Sequence, residues 1–418
     1  MRLDAYIDEL SPDADHQRRQ LAKDKSYEII DHIDDIESRF KSTYQQNPNI
    51  DSKAPSVFVG RSNYPNISSG ILAPVKDQDQ ADEYATSGEW YDRNLGIESI
   101  LKYRTGLINS RQYRDINVND IWEGFLGTQR EIAIADKPVD VEIGLANTPE
   151  FDVSVDDITT PTGPNAEAEN ATLRENPHVP PAIEKTLEDD EWQAEGAINY
   201  LYRRGYDVYQ INNILSVGAL GKAENRKLVP TRWSITAVDD TIGKFLRGRV
   251  QSNQSIGTPT VWMNEYLGNR YWIIITPGKW EFELVEMKSP GSIWNPDPNG
   301  ETWLASAHEG YTGRSGYVDE TAGAYYAARL AVLEYLTDSN RQGKCLVLRE
   351  VSDEYWAPVG VWQIRESIRN AFDREAATAE TLNKAVQRIS KELPMSYEAL
   401  KQKSNLVSGV QTELEQFL

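Results

Sequence analysis

The sequence predicts an α+β fold, with helices around a mainly antiparallel sheet and a flexible C-terminal tail. Three observations carry that expectation. Residues 260–288 hold three apolar runs separated by Gly268-Asn269 and Pro277-Gly278, dipeptides that turn a chain back on itself. Residues 189–216 and 320–337 place their apolar side chains at helical spacing. From Lys401 the chain is polar until its last few residues.

In chain order, residues 1–50 form an N-terminal segment whose first 45 residues read as charged helix, with Ile29, Ile30, Ile33 and Ile36 on one face. Residues 51–147 form the first part of the core. There Ser56 to Pro65 runs from a short apolar strand into a turn, residues 89–110 read as helix, and Pro138 to Ile143 alternates as a half-buried strand. Residues 148–183 are acidic and rich in Pro, Thr and Asn, which predicts a long loop or disordered insertion. In 184–300, two helices, 189–204 and 207–216, meet at Gly205 and precede a β meander: Thr260 to Tyr266, Tyr271 to Thr276 and Trp280 to Lys288. Residues 301–400 hold a helix at 320–337, a strand at 344–350, a helix at 360–374 and a last helix from about 378 to 393, stopped by Pro394. Residues 401–418 are the tail.

With 418 residues the chain can bury two or three cores of ordinary size. Its formal net charge is -21, so it lacks the basic character of a protein that coats DNA non-specifically. The acidic residues are spread over many loops and Arg outnumbers Lys, which fits a surface built for a very salty cytoplasm. A single cysteine, Cys345, excludes an intramolecular disulfide and a zinc site of Cys type. Its apolar surroundings predict a buried thiol. No signal peptide and no membrane-length apolar run is present, which predicts a cytoplasmic protein with no membrane partner.

The sharpest local signal is Gln411-Thr-Glu-Leu414-Glu-Gln-Phe417-Leu418. One tight helical turn brings Leu414, Phe417 and Leu418 to one side as an apolar plug, with the Gln411 amide beside it. The octapeptide resembles the clamp-binding box of proteins that ride on the sliding clamp PCNA, with Leu418 in place of a second aromatic.

Positive charge is local. Arg226, Lys227, Arg232 and Trp233 form a basic and aromatic cluster, extended by Lys244, Arg247 and Arg249, suited to phosphate or single-strand contact. Pairing with Asp239 and Asp240 explains it equally well. Arg314 lies among three glycines before a helix start, a natural place for an anion. Glu286-Met-Lys288 fits half of a nuclease pattern in which carboxylates hold Mg²⁺ or Mn²⁺ and a lysine positions water. Asp239, Glu265 and Glu286 are the candidate metal ligands, and Glu286, Lys288, Asp239 and Asp240 the candidate catalytic residues. Strand charge facing solvent is the simpler explanation. Residues 197–217 have the outline of a helix-turn-helix with Gln210, Asn212 and Asn213 toward DNA, yet the second helix has no positive charge, which favours a core hairpin. Gly218-Ala-Leu-Gly221-Lys222 fails the spacing of a phosphate-binding loop.

Five segments together resemble the archaeal Nre family: Phe58 to Pro65, Lys137 to Glu142, Leu228 to Asp240, Gly323 to Glu334 and Pro358 to Arg365. The resemblance implies a DNA repair role coupled to the clamp in an archaeal cytosol, at the nucleoid, with DNA and PCNA as partners. It transfers no catalytic residue, and the N-terminal Cys cluster of some relatives has no counterpart here. Three functions follow: a clamp-tethered repair factor with metal-dependent nuclease activity, a non-catalytic repair adaptor, or an enzyme acting on a nucleotide or modified base with Arg314 and Trp233 in its pocket.

Overall fold

The computed structural model describes residues 38, 49–75, 78–147, 162–189, 191–295, 297 and 299–409. The N-terminal helix expected with Ile29 to Ile36, residues 148–161 of the acidic insertion and the octapeptide from Gln411 lie outside them. The described residues divide at helix α7 into a first unit, up to Ile242, and a second unit from Gly243.

The first unit is built on strands β1 (Asn49–Ala54), β2 (Ser56–Val59), β3 (Asn66–Pro74), β4 (Leu107–Asp115), β5 (Val139–Leu145) and β6 (Asn165–Leu173), in the order β1-β5-β6-β4-β3-β2. All pairings are antiparallel except β4 with β6. β5 alternates buried and half-buried side chains along its whole length, the period-2 pattern of a strand with one covered face. Helices α1 (Glu89–Asp92) and α2 (Ile97–Thr105) precede β4, and α3 (Gly124–Ile134) follows it. α4 (Pro181–Glu188), α5 (Ala194–Arg203) and α6 (Val208–Ser216) follow the sheet, and α7 (Thr231–Val250) begins in this unit and runs on into the second.

Two expectations need correction here. Residues 107–110 open a strand rather than closing a helix. Residues 165–173, expected in a loop, sit in the middle of the sheet. Their inward side chains are alanines, Ala166, Ala168 and Ala171, which fill the core with little apolar signal. Helix α7 has little apolar signature, because Asp239 and Gly243 stand among its buried positions.

The second unit carries a sheet of β8 (Thr260–Tyr266), β9 (Asn269–Thr276), β10 (Glu281–Lys288), β11 (Trp303–Glu309), β13 (Lys344–Val351) and β14 (Ala377–Thr378), in the order β11-β10-β13-β9-β8-β14. β7 (Gln254–Ser255) and β12 (Arg341–Gln342) form a small separate pair. The meander is corrected at one point: β13 enters between β9 and β10, antiparallel to the first and parallel to the second. These three central strands are apolar runs because both faces are covered.

Helices α8 (Ala322–Asp338) and α9 (Trp362–Ala371) cover one face of this sheet. The other face meets α10 (Leu382–Ile389), α11 (Tyr397–Lys403) and α12 (Asn405–Ser408) through Ala385, Val386, Ile389, Leu400 and Val407 on Trp272, Ile274, Val285, Met287, Leu346 and Leu348. Residues 401–409, expected in the flexible tail, are therefore docked. The buried carboxylate of Glu283 accepts hydrogen bonds from Ser404 Oγ (2.7 Å), Asn405 N (2.8 Å) and Leu406 N (2.9 Å), which satisfies the first amides of α12. Cys345 is buried in β13, and burial pushes its thiol up. Among the described residues no helix is long and apolar enough to cross a membrane.

Candidate nucleic-acid interface

In the first unit the β2–β3 turn and the start of α7 come together. β2 ends at Val59, and its amide donates to Thr231 Oγ1 (2.9 Å). Gly60 follows because a Cβ there would lie 2.3 Å from Ser68 Oγ across the hairpin. The turn then presents Arg61 and Tyr64, while the first turn of α7 presents Arg232 and Trp233; all four are exposed. The rings of Tyr64 and Trp233 meet at a centroid distance of 5.4 Å and an angle of 50°, with 52% and 46% of their surfaces still open to solvent.

A third exposed aromatic stands on the same sheet. Tyr113 projects from β4 opposite Ser68 of β3, and the Arg111 guanidinium lies 5.5 Å from its ring centroid. Small residues, Gly60, Ser68 and Gly70, occupy this part of β3 and its turn. Asp115, the nearby carboxylate on β4, is turned onto the Asn117 amide and side chain (2.8 and 2.6 Å). Aromatic faces interleaved with arginines are the chemistry that holds unstacked bases and the phosphates between them.

The rest of the predicted cluster separates. Arg232 and Trp233 belong to the interface just described, and Lys227 is exposed where its strand segment bridges Asn117. Arg226 is a correction: its guanidinium is buried and spent on Gly221 O (3.0 Å), Leu187 O (2.7 Å) and Asp120 (2.6 Å). The nearby Arg130 is likewise enclosed, donating to the carbonyls of Val217 (3.2 Å), Asn119 (2.9 Å), Gly218 (2.8 Å) and Ile121 (2.5 Å). Burial, with Arg226 beside it, lowers Arg130 to about 10. The loop at Gly218–Gly221 thus presents carbonyls to guanidiniums, the opposite polarity to a phosphate cradle. In the α5–α6 hairpin, Asn212 is buried against Ser234, and Gln210 donates to Ala135 O. Those polar groups serve packing within the unit.

Within the second unit, the candidate ligands Glu265 and Glu286 do not converge. Glu286 lies in register with Arg349 of β13, which lies in register with Tyr271 of β9 and then Asn264 of β8. Glu265 is one residue along from Asn264, so it stands on the opposite face of the sheet, exposed. Glu286 is ion-paired with Arg349 inside the sheet rather than facing solvent. The Lys288 ammonium lies between two indoles, 5.8 Å from the ring centroids of Trp294 and Trp303. Asp239 and Asp240 lie on α7 in the first unit, Asp239 buried. Among the described residues no group of three His, Cys, Asp or Glu side chains could hold a metal ion. Glu265 and Glu286 are therefore not placed to share one Mg²⁺ or Mn²⁺ ion.

Arg314 lies in the loop between β11 and α8 and donates to His308 O (2.8 Å). Arg247 points to Glu309 (3.7 Å) and extends no surface patch. That buried carboxylate also takes Arg329 Nη1 (2.9 Å) and Trp280 Nε1 (3.0 Å). Arg247 packs on Gly313 (φ +80°), where a Cβ would meet the guanidinium at 1.6 Å.

Sequence reasoning missed Tyr64, Arg61, Arg111 and Tyr113. Tyr64 lies in the segment Phe58 to Pro65, and its signal is local: an aromatic in a polar turn has no core to fill. Tyr113 was hidden because β4 reads as a polar stretch.

The model of the archaeal Nre N-terminal region matches residues 21–295, and that of the archaeal Nre C-terminal region matches residues 309–417. The chain is 55% identical over 420 residues to the DNA repair protein NreA of Haloferax volcanii, covering 100% of both. It is 35% identical over 348 residues to the DNA repair protein NreA of Archaeoglobus fulgidus, covering 82% of this chain and 84% of that one. It is also 33% identical over 370 residues to the DNA repair protein NreB of the same organism, covering 88% and 92%. No solved structure matches the chain.

Proposed function

The chain belongs to the archaeal Nre family, and on that premise we propose that it is a DNA repair factor brought to DNA by the sliding clamp PCNA. The observation that carries the repair role is the full-length 55% identity to a protein named for DNA repair. Clamp recruitment rests on Gln411, Leu414, Phe417 and Leu418, whose spacing suits a one-turn helix in an apolar pocket. The two parts support each other physically. A chain of net charge -21 gains little from counterion release, so a tether that raises its local concentration replaces intrinsic affinity for phosphate. The same acidity suits a salt-rich cytosol, where that release is weaker still.

Within this reading the chain acts as an adaptor whose exposed aromatics and arginines meet the nucleic acid. The test is binding of the full-length protein to the clamp of its own cell at high salt, against a form lacking residues 411–418. Binding by the first and none by the second is the expected result. Equal binding by both, or by neither, removes the clamp from the proposal. Survival of cells after DNA damage, with the protein absent or truncated, tests the repair role separately.

A further inference from the structure

We infer that the Tyr64–Trp233 pair, flanked by Arg61 and Arg232, is a binding site for single-stranded DNA that stacks unpaired bases in preference to binding duplex. The inference rests on the repair reading above and names the substrate class of that interface.

Both rings are about half open to solvent, Tyr64 in the β2–β3 turn and Trp233 in the first turn of α7. The turn is fixed to the helix by Val59 N on Thr231 Oγ1, and Trp233 N bonds to Pro230 O (2.7 Å). The platform is therefore held in place before any ligand arrives, which lowers the ordering entropy of binding.

Rings tilted by 50° cannot sandwich one another, so each keeps a face on which a base can lie. In a duplex both faces of each base are already covered by the neighbouring base pairs; in a single strand a base face is free. Stacking on an aromatic side chain is sequence-tolerant.

Duplex DNA has the higher phosphate density and is repelled more by a chain of net charge -21. A single strand carries less charge per length, and stacking involves none. Arg61 and Arg232 then contact phosphates on either side of the stacked bases, at the N-terminus of a 20-residue helix whose dipole favours anions. Arg111 and Tyr113 on β4 supply the same pairing of aromatic and guanidinium further along the sheet.

The test uses the full-length protein and fluorescein-labelled oligonucleotides of about 20 nucleotides, one an oligo-dT single strand and one a blunt duplex. Anisotropy titrations across a salt series give affinity and its salt slope. The single strand is expected to bind at least about tenfold more tightly than the duplex. Its slope of log affinity on log salt should be shallow, roughly -1.4 for two phosphate contacts. Trp233→Ala and Tyr64→Ala should each weaken single-strand binding about tenfold, with Trp233→Phe and Tyr64→Phe restoring much of the loss. Clamp binding is measured on the same preparations and should not change. Equal or tighter duplex binding overturns the inference. So does single-strand binding that is absent, or that both alanine variants leave within twofold. In each of those cases, retained clamp binding leaves the recruitment reading intact, and its loss on tail deletion is scored separately.

Discussion

Arg349 and Glu286 face each other in register across the parallel pair β13–β10, with 3% and 6% of their side chains exposed. The rest of the guanidinium is spent on Asn269 Oδ1 (3.0 and 2.8 Å), and the rings of Trp294 and Tyr355 lie 5.6 and 5.9 Å away. Removing the carboxylate strands a buried cation, which costs about 3–5 kcal/mol. Glu286→Ala should therefore lower the stability of the second unit by about that amount in chemical unfolding, read by tryptophan fluorescence. A stable Glu286→Ala protein that loses only metal-dependent DNA cleavage would return Glu286 to a catalytic role.

Arg226 and Arg232 should separate cleanly in binding experiments. Arg226→Ala removes bonds to two carbonyls and Asp120 inside the first unit, so it should destabilise folding by roughly 2–4 kcal/mol. Where the protein remains folded, the salt slope of DNA binding should not move. Arg232→Ala should leave the thermal midpoint within a few degrees and flatten that slope by about 0.7. A slope change in the Arg226 variant would show that its guanidinium reaches phosphate.

Glu283 should govern the order of the last helix. Its carboxylate carries three hydrogen bonds from Ser404, Asn405 and Leu406. Glu283→Ala leaves those amides unsatisfied, and charge-assisted bonds of this kind contribute about 1.5–3 kcal/mol. Hydrogen exchange of residues 404–409 should accelerate by one to two orders of magnitude while β9 keeps its protection. Unchanged exchange there would mean that Val407 and Leu400 hold the segment without the carboxylate.

Glu281 should contribute to the acid limb of the stability curve. Burial raises its carboxyl, but Lys344 (2.7 Å) and His308 (3.6 Å) outweigh that and leave it below the usual carboxylate range. A depressed folded value means that the unfolded chain takes up protons first. The stabilisation is thus present above the unfolded carboxylate range and is lost as pH falls, roughly between pH 5 and 3. Glu281→Gln should flatten that part of a plot of unfolding free energy against pH. An unaltered acid limb in the variant would place the transition with other carboxylates.

Elements with a local cause could be read from the sequence. β5 alternates, β8 and β9 are bounded by turn dipeptides, and α8 is dense in alanine and leucine. What escaped depends on distant partners. β6 buries only alanines, so its place between β5 and β4 has no apolar signature. Glu283 and Glu286 read as solvent-facing charge, yet each is buried on a partner more than 60 residues away, Glu286 ion-paired with Arg349 and Glu283 hydrogen-bonded by the start of α12. The interface was half legible. Arg232 and Trp233 stood out as positive and aromatic in an acidic chain, whereas their neighbour Tyr64 reaches them only through the fold.

In both sheets a central strand comes late in the chain. β6 joins the β1–β5 pair to β4, β3 and β2, and β13 joins β9 to β10. A ribosome delivers these strands in order, and 56 residues separate the start of β13 at Lys344 from the end of β10 at Lys288. At ordinary translation rates that is a delay on the order of 3–10 s. Throughout it, β9 and β10 expose apolar edges with no partner, open to the wrong strand of a neighbouring nascent chain. Biosynthesis of this protein is therefore most vulnerable to aggregation just before β13 emerges, and a chaperone that covers strand edges has its greatest effect there.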